Sequence, residues 1–352
     1  MTDIGVGMIF AFVLSLCAGG LVAWGWTLHR LWHRLPLYVP EARLPANWGF
    51  PEVLLCLGVY ILLTAMAGVA LRQAGFDLGL GESVTEVATV DPGSVSETET
   101  ETGTEIETGT EDEQEQQGEV ESEAEDNDQE GETAAVPDSN PQRMGLLIAV
   151  DGVARVLTIV LVLALLFFQD DQIVRRFGWL PRWRDIALGL VASCMLLPLV
   201  FGIQAALAQL VPYEHAVLNI IRESPPVWVL CAMAFTSTMV APLVEEFFFR
   251  GVLQGWFQRL AAPSPMPVDT PATPQPDWVE SEQIAAWPWW PIFLSSLLFA
   301  LVHIGQGAAP IALFFLALGL GYLYRITGRL WASITVHFVL NSISTLMTVL
   351  SS

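Results

Sequence analysis

Long apolar runs with almost no charge dominate this sequence, and they limit what the chain can fold into. A helix that crosses the hydrocarbon core of a bilayer needs about 20 predominantly apolar residues. Lipid offers no partner for backbone polar groups, so a spanning segment must satisfy them as a helix or a closed barrel. We therefore predict an all-α, polytopic membrane helix bundle of about eight transmembrane helices. The runs lie at 4–28, 51–71, 145–168, 186–209, 227–258, 289–304, 308–324 and 330–350.

The acidic residues are concentrated in one block. The formal net charge is −22, but Glu82 to Glu132 contains 20 acidic residues and no basic one, so the rest of the chain is nearly neutral. The wider segment 76–142 is rich in Glu, Thr, Gly, Ser and Gln, and it cannot bury enough apolar surface to offset its chain entropy. We predict that it is a disordered acidic insert. A second insert, 261–286, contains six prolines, which favour a semi-rigid linker.

The arginines predict the orientation of the bundle. All 15 basic residues are arginine, and ten of them lie in loops on one side of the predicted spans, against three on the other. Cytoplasmic loops carry the excess of positive charge in multi-pass proteins. We therefore expect both termini and the acidic insert outside the cytoplasm of a cell (inner) membrane, with the proline-rich insert inside. No basic stripe exists beyond the short membrane-flanking loops, so nucleic acid is not expected as a partner.

These patterns divide the chain into four parts. Residues 1–75 hold two N-terminal transmembrane helices, and 76–142 is the acidic insert. Residues 143–185 contain the third transmembrane helix and a basic cytoplasmic loop. The remaining spans, with the proline-rich insert, form a core from 186 to 352.

Two adjacent carboxylates lie inside the fifth predicted span. Charge at membrane depth is costly and indicates function by default. Glu245 and Glu246 point about 100° apart on a helix, so they can face different partners. Arg250 lies four residues after Glu246 and can form a buried ion pair with it. That pairing would leave Glu245 to face something else.

Two histidines lie in other predicted spans. His303 is in the sixth, and His337 shares one face of the eighth with Asn341, four residues later. A lone histidine on an apolar helix is more often a packed core residue. Two of them, together with the glutamate pair, favour a common polar site.

The depths of these groups are compatible with one site. Glu245 lies 14 residues before Arg259, and His303 lies 13 residues after Trp290. At about 1.5 Å per residue, each is roughly 20 Å along its helix from the predicted cytoplasmic edge. The polar residues of the eighth span fall at a comparable depth, so we expect the groups to meet near the middle of the membrane.

Three short motifs therefore occur in order on successive spans. They are Glu-Glu-x3-Arg at 245–250, Phe-x3-His at 299–303 and His-x3-Asn at 337–341. This set resembles the CAAX protease and bacteriocin-processing (CPBP) family of intramembrane proteases, which includes the type II CAAX prenyl endopeptidases. The resemblance covers about 186–350. It implies a peptidase that hydrolyses a bond in a membrane-associated protein or peptide within the bilayer. The implied catalytic residues are Glu245, Glu246, His303, His337 and Asn341, with Arg250 and Phe299 in structural support.

Two mechanisms are open for such a site. Glu245 can activate a water molecule while His303, His337 and Asn341 orient it and stabilise the oxyanion. Alternatively, His303, His337 and Glu245 can hold Zn²⁺ with water as the fourth ligand. No cofactor follows with certainty, and the His-Glu-x2-His zinc motif is absent. The metal-free mechanism is the minimal interpretation of these residues.

Two other classes of function remain as alternatives. The chain could be a non-catalytic membrane scaffold or immunity protein that keeps the motifs for packing. It could also be a proton-coupled transporter that relays protons through its Glu and His residues, although no internal repeat supports this.

Overall fold

The structure, a computed structural model, describes residues 3–35, 46–76, 141–210, 225–262 and 288–351. Within those ranges the regular elements are helices and there is no strand. The predicted disorder of 76–142 and the predicted linker at 261–286 fall almost entirely outside the described residues. The nine helices in the described ranges are α1 (Asp3–Trp32), α2 (Phe50–Gln73), α3 (Pro141–Phe167), α4 (Ile173–Arg176), α5 (Trp183–Ala208), α6 (Val227–Ala261), α7 (Trp290–Leu301), α8 (Ala309–Thr327) and α9 (Trp331–Ser351).

A helix lies at each of the eight predicted positions, and the short α4 is additional. Among the described residues, six helices are long and apolar enough to cross a membrane: α2, α3, α5, α6, α8 and α9. The chain is therefore a multi-pass membrane protein, helical in its described elements. α1 has 30 residues, whereas α7 has 12 and is about 18 Å long, which is shorter than the hydrocarbon core.

The predicted span at 289–304 is thus shortened at its C-terminal end. After Leu301 the chain turns, and Gly305 and Gly307 adopt positive φ angles of 103° and 58°. Such backbone angles favour glycine and end a right-handed helix. The turn places His303 just beyond the last residue of α7 instead of inside a longer helix.

The chain divides into two compact units, Met1–Ala70 with Ser139–Ser352, and Leu71–Asp138. In the second unit the described residues are the end of α2 and the turn that follows it. In the first unit α8 is central, since it packs against α5, α7 and α9. Phe299 of α7 and Leu316 and Leu320 of α8 are fully buried there. This packing brings α6, α7 and α9 together around their polar residues.

Helix α3 packs closely on the first half of α6. A Cβ atom added to Gly145 would lie 2.6 Å from Val229, and one added to Gly152 would lie 3.1 Å from the Thr236 hydroxyl. From the first contact to the second, the residue number rises by seven in α3 and by seven in α6, so the two helices run parallel. Small residues at such contacts let helix backbones approach each other in a membrane.

Two π-helical segments interrupt α6, at Thr236–Val240 and Phe247–Gln254. In a π-turn the carbonyl of residue i bonds the N–H of residue i+5. Pro242 has no N–H, so the carbonyl of Ser237 lacks that partner in the first segment. The Asn341 amide of α9 donates to this carbonyl at 2.8 Å. In the second segment, the indole N–H of the buried Trp48 donates to the carbonyl of Val252 at 3.0 Å.

The loop after α3 is tied to the segment before α2. Asp170 accepts hydrogen bonds from the backbone N–H of Gln172 at 2.9 Å, from Nε of Arg176 at 2.6 Å and from the amide of Asn47 at 2.7 Å. Arg259, at the end of α6, donates to the carbonyls of Asn47 and Trp48. Through Asn47 and Trp48, these bonds hold the C-terminal end of α6 in place.

Candidate active site

The two adjacent glutamates lie on the α-helical turn between the two π-segments of α6. Glu246 has no exposed surface, and Arg250, 1% exposed, places its Nη1 atom 3.1 Å from the Glu246 Oε1 atom. A buried carboxylate is tolerated when it is paired and hydrogen-bonded. Glu245, on the neighbouring face, keeps 19% of its side-chain surface exposed.

His337 of α9 contacts both carboxylates. Its Nδ1 atom lies 3.0 Å from Oε1 of Glu246, within hydrogen-bonding distance. Its Nε2 atom lies 3.7 Å from Oε2 of Glu245. The His337 ring is thus held by one carboxylate and directed at the other.

His303 approaches Glu245 from the turn after α7. Its Nε2 atom lies 4.0 Å from Oε2 of Glu245, and 14% of its side-chain surface is exposed. Its Nδ1 atom lies 2.7 Å from the carbonyl oxygen of Phe299. A carbonyl can only accept, so we assign a hydrogen to Nδ1 of His303. In the neutral ring Nε2 is then an acceptor that faces Glu245.

When both imidazole rings are neutral, three hydrogen-bond acceptors converge: the Nε2 atoms of His303 and His337 and the Oε2 atom of Glu245. The same reasoning assigns a hydrogen to Nδ1 of His337, because Glu246 accepts there. The Nε2 atoms of both rings then present lone pairs toward Oε2 of Glu245, which is buried and has no hydrogen-bond partner among the described residues. Such a cluster needs hydrogens between its members, and a water molecule or a shared proton supplies them.

Phe299 forms an apolar platform beneath this cluster. Its ring lies 4.8 Å from that of His303 and 5.7 Å, edge to face, from that of His337. The guanidinium carbon of Arg250 lies 4.6 Å from its centroid. The ring is fully buried and fixes the orientation of both imidazoles and of the arginine.

Asn341 lies one turn after His337 on α9. Its amide donates to the carbonyl of Ser237, and it makes no hydrogen bond to either glutamate or either histidine in the described residues. This hydrogen bond joins α9 to the first π-segment of α6. Glu245, Glu246, His303 and His337 form one contact cluster, and Asn341 borders it.

The motif residues all fall inside one region of similarity to known proteins. Residues 226–343 match the family model of Rce1-like type II CAAX prenyl endopeptidases. We refer to residues 226–343 as the Rce1-like segment because of this similarity. The match begins just before α6 and ends in α9, so it is shorter than the predicted 186–350 and leaves α1 to α5 outside. No curated protein and no solved structure gives a significant match to the chain.

The Rce1-like segment offers the donor types of a zinc site, but their spacing does not fit one. Tetrahedral ligands at about 2.0–2.1 Å from zinc lie about 3.3 Å apart. The Nε2 atoms of His303 and His337 lie 4.0 and 3.7 Å from Oε2 of Glu245. Among the described residues, no group of three or more His, Cys, Asp or Glu side chains is placed to hold a metal ion. We therefore route no catalytic step through zinc.

Sequence reasoning missed two buried polar residues that follow the candidate site along α6. Gln254 and Gln258 continue the four-residue spacing of Glu246 and Arg250 along α6, and both are buried. The Gln254 amide donates to the carbonyl of Gly321 in α8 at 2.8 Å. The sequence feature that could have revealed these residues is a polar residue at every fourth position from Glu246 to Gln258.

Outside the Rce1-like segment, an ion pair in the third predicted span was also missed. Asp151 and Arg155 lie in α3, and the Nε atom of Arg155 is 2.6 Å from Oδ2 of Asp151. The signal was two charges four residues apart in an otherwise apolar run.

Proposed function

We propose that this chain is an intramembrane endopeptidase of the CAAX type that hydrolyses a peptide bond in a membrane-associated protein or peptide. The observation that carries the proposal is the convergence of two histidine Nε2 atoms on the carboxylate of Glu245. The Rce1-like match supports peptidase activity. Helices α6 and α9, which carry Glu245 and His337, are each long and apolar enough to cross a bilayer.

In the proposed reaction Glu245 is the general base. A water molecule between Glu245 and the Nε2 atoms can donate one hydrogen to the carboxylate and the other to His303. Glu245 takes a proton as the water oxygen attacks the carbonyl carbon of the substrate. The tetrahedral intermediate collapses when its C–N bond breaks, and Glu245 returns the proton to the leaving amine. The products are a new carboxyl group and a new amine.

We propose that His337, unlike His303, acts as a hydrogen-bond donor, because of the charge of the buried groups around it. Two carboxylates and one arginine leave the cluster with a net charge of about −1, which is costly in a poorly solvated site. Protonation of His337, which lies between both carboxylates, makes the cluster neutral. Its Nε2–H can then donate to the oxyanion that forms on the substrate carbonyl. Glu246 stabilises this imidazolium through Nδ1 and is a positioning residue.

Asn341 is proposed as the second oxyanion donor. Its amide carries two hydrogens, and the bond to Ser237 uses one. The remaining hydrogen is available to a substrate carbonyl bound beside His337. Phe299 holds both rings in place from below.

The arginine bias further suggests that the site opens toward the cytoplasm, with both termini on the opposite side. Reporter fusions test this orientation. A fusion near residue 110 is expected to be exported, and one near residue 270 is expected to be cytoplasmic. The reversed pair of results would contradict the orientation without affecting the chemistry.

The decisive experiment for the chemistry replaces Glu245 by Gln. C-terminal peptides from membranes of cells that express the wild type should include products absent with Glu245→Gln. Loss of the base should lower the rate by about 10²–10⁴-fold. Glu52→Gln, the same change on α2 away from the cluster, is the matched control and should retain the products. Unchanged products with Glu245→Gln in a folded protein would refute the proposal and favour the scaffold alternative.

A further inference from the structure

The turn between α7 and α8, residues 302–308, is exposed although it lies next to the candidate active site. Val302 and Ile304 keep 64% and 69% of their surfaces exposed, and residues 305–307 are exposed as well. A Cβ atom added to Gly305 would meet nothing within 4 Å beyond its own chain neighbours. Open space therefore adjoins the turn, wide enough for another chain to approach the backbone.

Two backbone donors of this turn are unused. The N–H of Gln306 donates to the carbonyl of His303 at 3.2 Å, which closes the turn back on the histidine. The N–H groups of Gly305 and Gly307, on either side of Gln306, make no hydrogen bond with the residues that the structure describes. A backbone N–H is a strong donor that needs a partner, so these two must find one outside the described chain.

The turn lies at the level of the hydrocarbon core. The ring of Trp289, just before α7, stacks on that of Tyr322 in α8 at 5.8 Å, and Arg325 lies over the Trp289 ring at 4.7 Å. Trp and Tyr gather at the headgroup level, and arginines flank the spans there. From that level α7 extends about 18 Å, and α8 extends about 20 Å from Tyr322 back to Ala309. Because the hydrocarbon core is about 30 Å thick, the turn falls inside it, and tilting the helices keeps it there.

Exposed donors at this depth call for a specific kind of partner. Irregular backbone occurs inside a membrane only where protein covers it or water reaches it. A substrate segment that enters the site in extended form has the same need, because its carbonyl and N–H groups have lost their helical partners. The carbonyl oxygens of such a segment and the free N–H groups of the turn can satisfy each other.

We propose that the N–H groups of Gly305 and Gly307 bind the main chain of the substrate, by donating to carbonyl oxygens of an extended segment beside the cleaved bond. The proposal rests on the proposed endopeptidase function and deepens it, because it assigns the surface that holds the substrate backbone. Water covers the two donors between turnovers, and the substrate replaces it.

The position of the donors limits which substrate carbonyls they reach. Gly305 follows His303 by two residues and Gly307 follows it by four, so the two lie at most about 7 and 14 Å from the histidine along the chain. An extended substrate covers those distances in about two and four residues. Bonds to the main chain do not select side chains, and the exposed Val302 and Ile304 add apolar contact to a membrane segment.

Deleting single N–H groups tests the proposal. Cell-free synthesis into lipid nanodiscs can replace Gly305 or Gly307 by glycolic acid, which turns the amide into an ester and adds no side chain. Gly75 is the matched control, because it also has a positive φ, 86°, but its N–H already bonds to the carbonyl of Arg72 at 3.0 Å. The probe is a peptide with an S-farnesyl cysteine near its C-terminus. In a second series of probes, each amide except the cleaved one is replaced in turn by a thioamide, whose sulfur accepts hydrogen bonds more weakly.

The ester at Gly305 or Gly307 is expected to lower kcat/KM for the unmodified peptide by about 2–10-fold, the net effect of one hydrogen bond. The ester at Gly75 should leave kcat/KM unchanged. In the wild type, a thioamide at the carbonyl that accepts each bond should lower kcat/KM by a similar factor. In the ester variant that lacks the matching N–H, the same thioamide should have no further effect.

A purely structural role for the turn gives a different pattern. The esters would then lower activity, but every thioamide would keep its full effect in them. That pattern, or ester variants as active as the wild type, would refute binding at the turn and leave the peptidase function standing. If an ester variant does not assemble, the wild type decides the matter, since no thioamide effect above about twofold within four residues of the cleaved bond would overturn the proposal.

Glu245→Gln separates this proposal from the proposed function. Cleavage that is lost in Glu245→Gln belongs to the candidate active site, and the ester and thioamide results then report on how its substrate is held. If the wild type cleaves the probe no faster than Glu245→Gln, the proposed function fails and the backbone site falls with it.

Discussion

The Nδ1 atom of His337 lies 3.0 Å from the Oε1 atom of Glu246, although 91 residues separate them in the chain. Arg250 approaches the same oxygen at 3.1 Å. One buried carboxylate oxygen thus joins a histidine of α9 to an arginine of α6. A carboxylate behind a catalytic histidine fixes its tautomer and stabilises its protonated form. The proposed role of Glu246 follows from this contact.

Glu246→Gln should lower activity without removing the base. The amide keeps the shape of Glu246 but cannot stabilise a His337 imidazolium, so kcat should fall by about 10²–10⁴-fold. If Glu246 positions His337, the pH dependence of kcat/KM should also shift relative to the wild type. A lower activity with an unchanged pH profile would indicate that Glu246 serves only the packing of α6.

Arg250→Met should damage the fold instead. It removes the guanidinium that pairs with the buried Glu246 and leaves only His337 beside that carboxylate, at a cost of about 3–5 kcal/mol. The double variant Glu246→Gln/Arg250→Met removes both charges and should recover most of that loss. Unfolding in mixed detergent micelles measures each free energy. A double variant less stable than Arg250→Met alone would contradict the view that the uncompensated carboxylate is the source of the cost.

Much of this arrangement was predictable from the sequence, and the reasons are specific. The apolar runs gave the helix positions because length and hydropathy alone decide that a segment can span a bilayer. The spacing of Glu246 and Arg250 predicted their pairing because it is local to one helix turn. The link between His337 and Glu246 depends on the packing of α9 against α6, which no local pattern encodes.

The missed features have equally specific causes. Each π-segment of α6 has a carbonyl bonded by a side chain from elsewhere in the chain, Asn341 in the first and Trp48 in the second, so helical periodicity does not reveal them. Arg155 was overlooked because a single ion pair hardly lowers the hydropathy of α3. The role of Asn341, expected from its helix face, its depth and the His-x3-Asn motif, stays a prediction; what the sequence did not show is that its amide donates to the carbonyl of Ser237.

A double-mutant cycle can test why Asn341 bonds to Ser237. Asn341→Ala leaves a carbonyl without its donor and should cost about 1–3 kcal/mol. Pro242→Ala restores a backbone N–H that can reach that carbonyl in the π-register. The Asn341 substitution should therefore cost less in the Pro242→Ala background, by about 1 kcal/mol. Additive losses in detergent unfolding would show that the missing proline N–H is not the reason for the bond.

Asp170 should make stability depend on pH. The backbone N–H of Gln172, together with the side chains of Arg176 and Asn47, holds the pKa of the Asp170 carboxyl below its ordinary value of 3.8. A lowered pKa means that the folded state favours the charged form. The stabilisation is therefore complete above pH 3.8 and is lost as the pH falls through the lower, folded-state pKa.

The variant Asp170→Asn isolates this contribution. The Tm of the wild type in detergent should exceed that of the variant at pH 6, and the difference should shrink as the pH falls below 3.8. Asp171→Asn, the neighbouring carboxylate, serves as the control. A difference in Tm that stays constant down to the lowest pH would mean that the charge of Asp170 contributes nothing.

The last prediction concerns metal. The donors that could bind zinc are spread too widely around Oε2 of Glu245, at 3.7 and 4.0 Å, and their proposed roles are to hold water and an oxyanion. Chelation with EDTA or 1,10-phenanthroline should therefore leave the cleavage rate unchanged, and purified protein should carry far less than one zinc per chain. His303→Ala and His337→Ala are expected to abolish activity under either mechanism, so they do not decide the question. About one zinc per chain, removed together with activity and restored with it, would overturn the glutamate mechanism, because the three donors would then have to close around a metal ion.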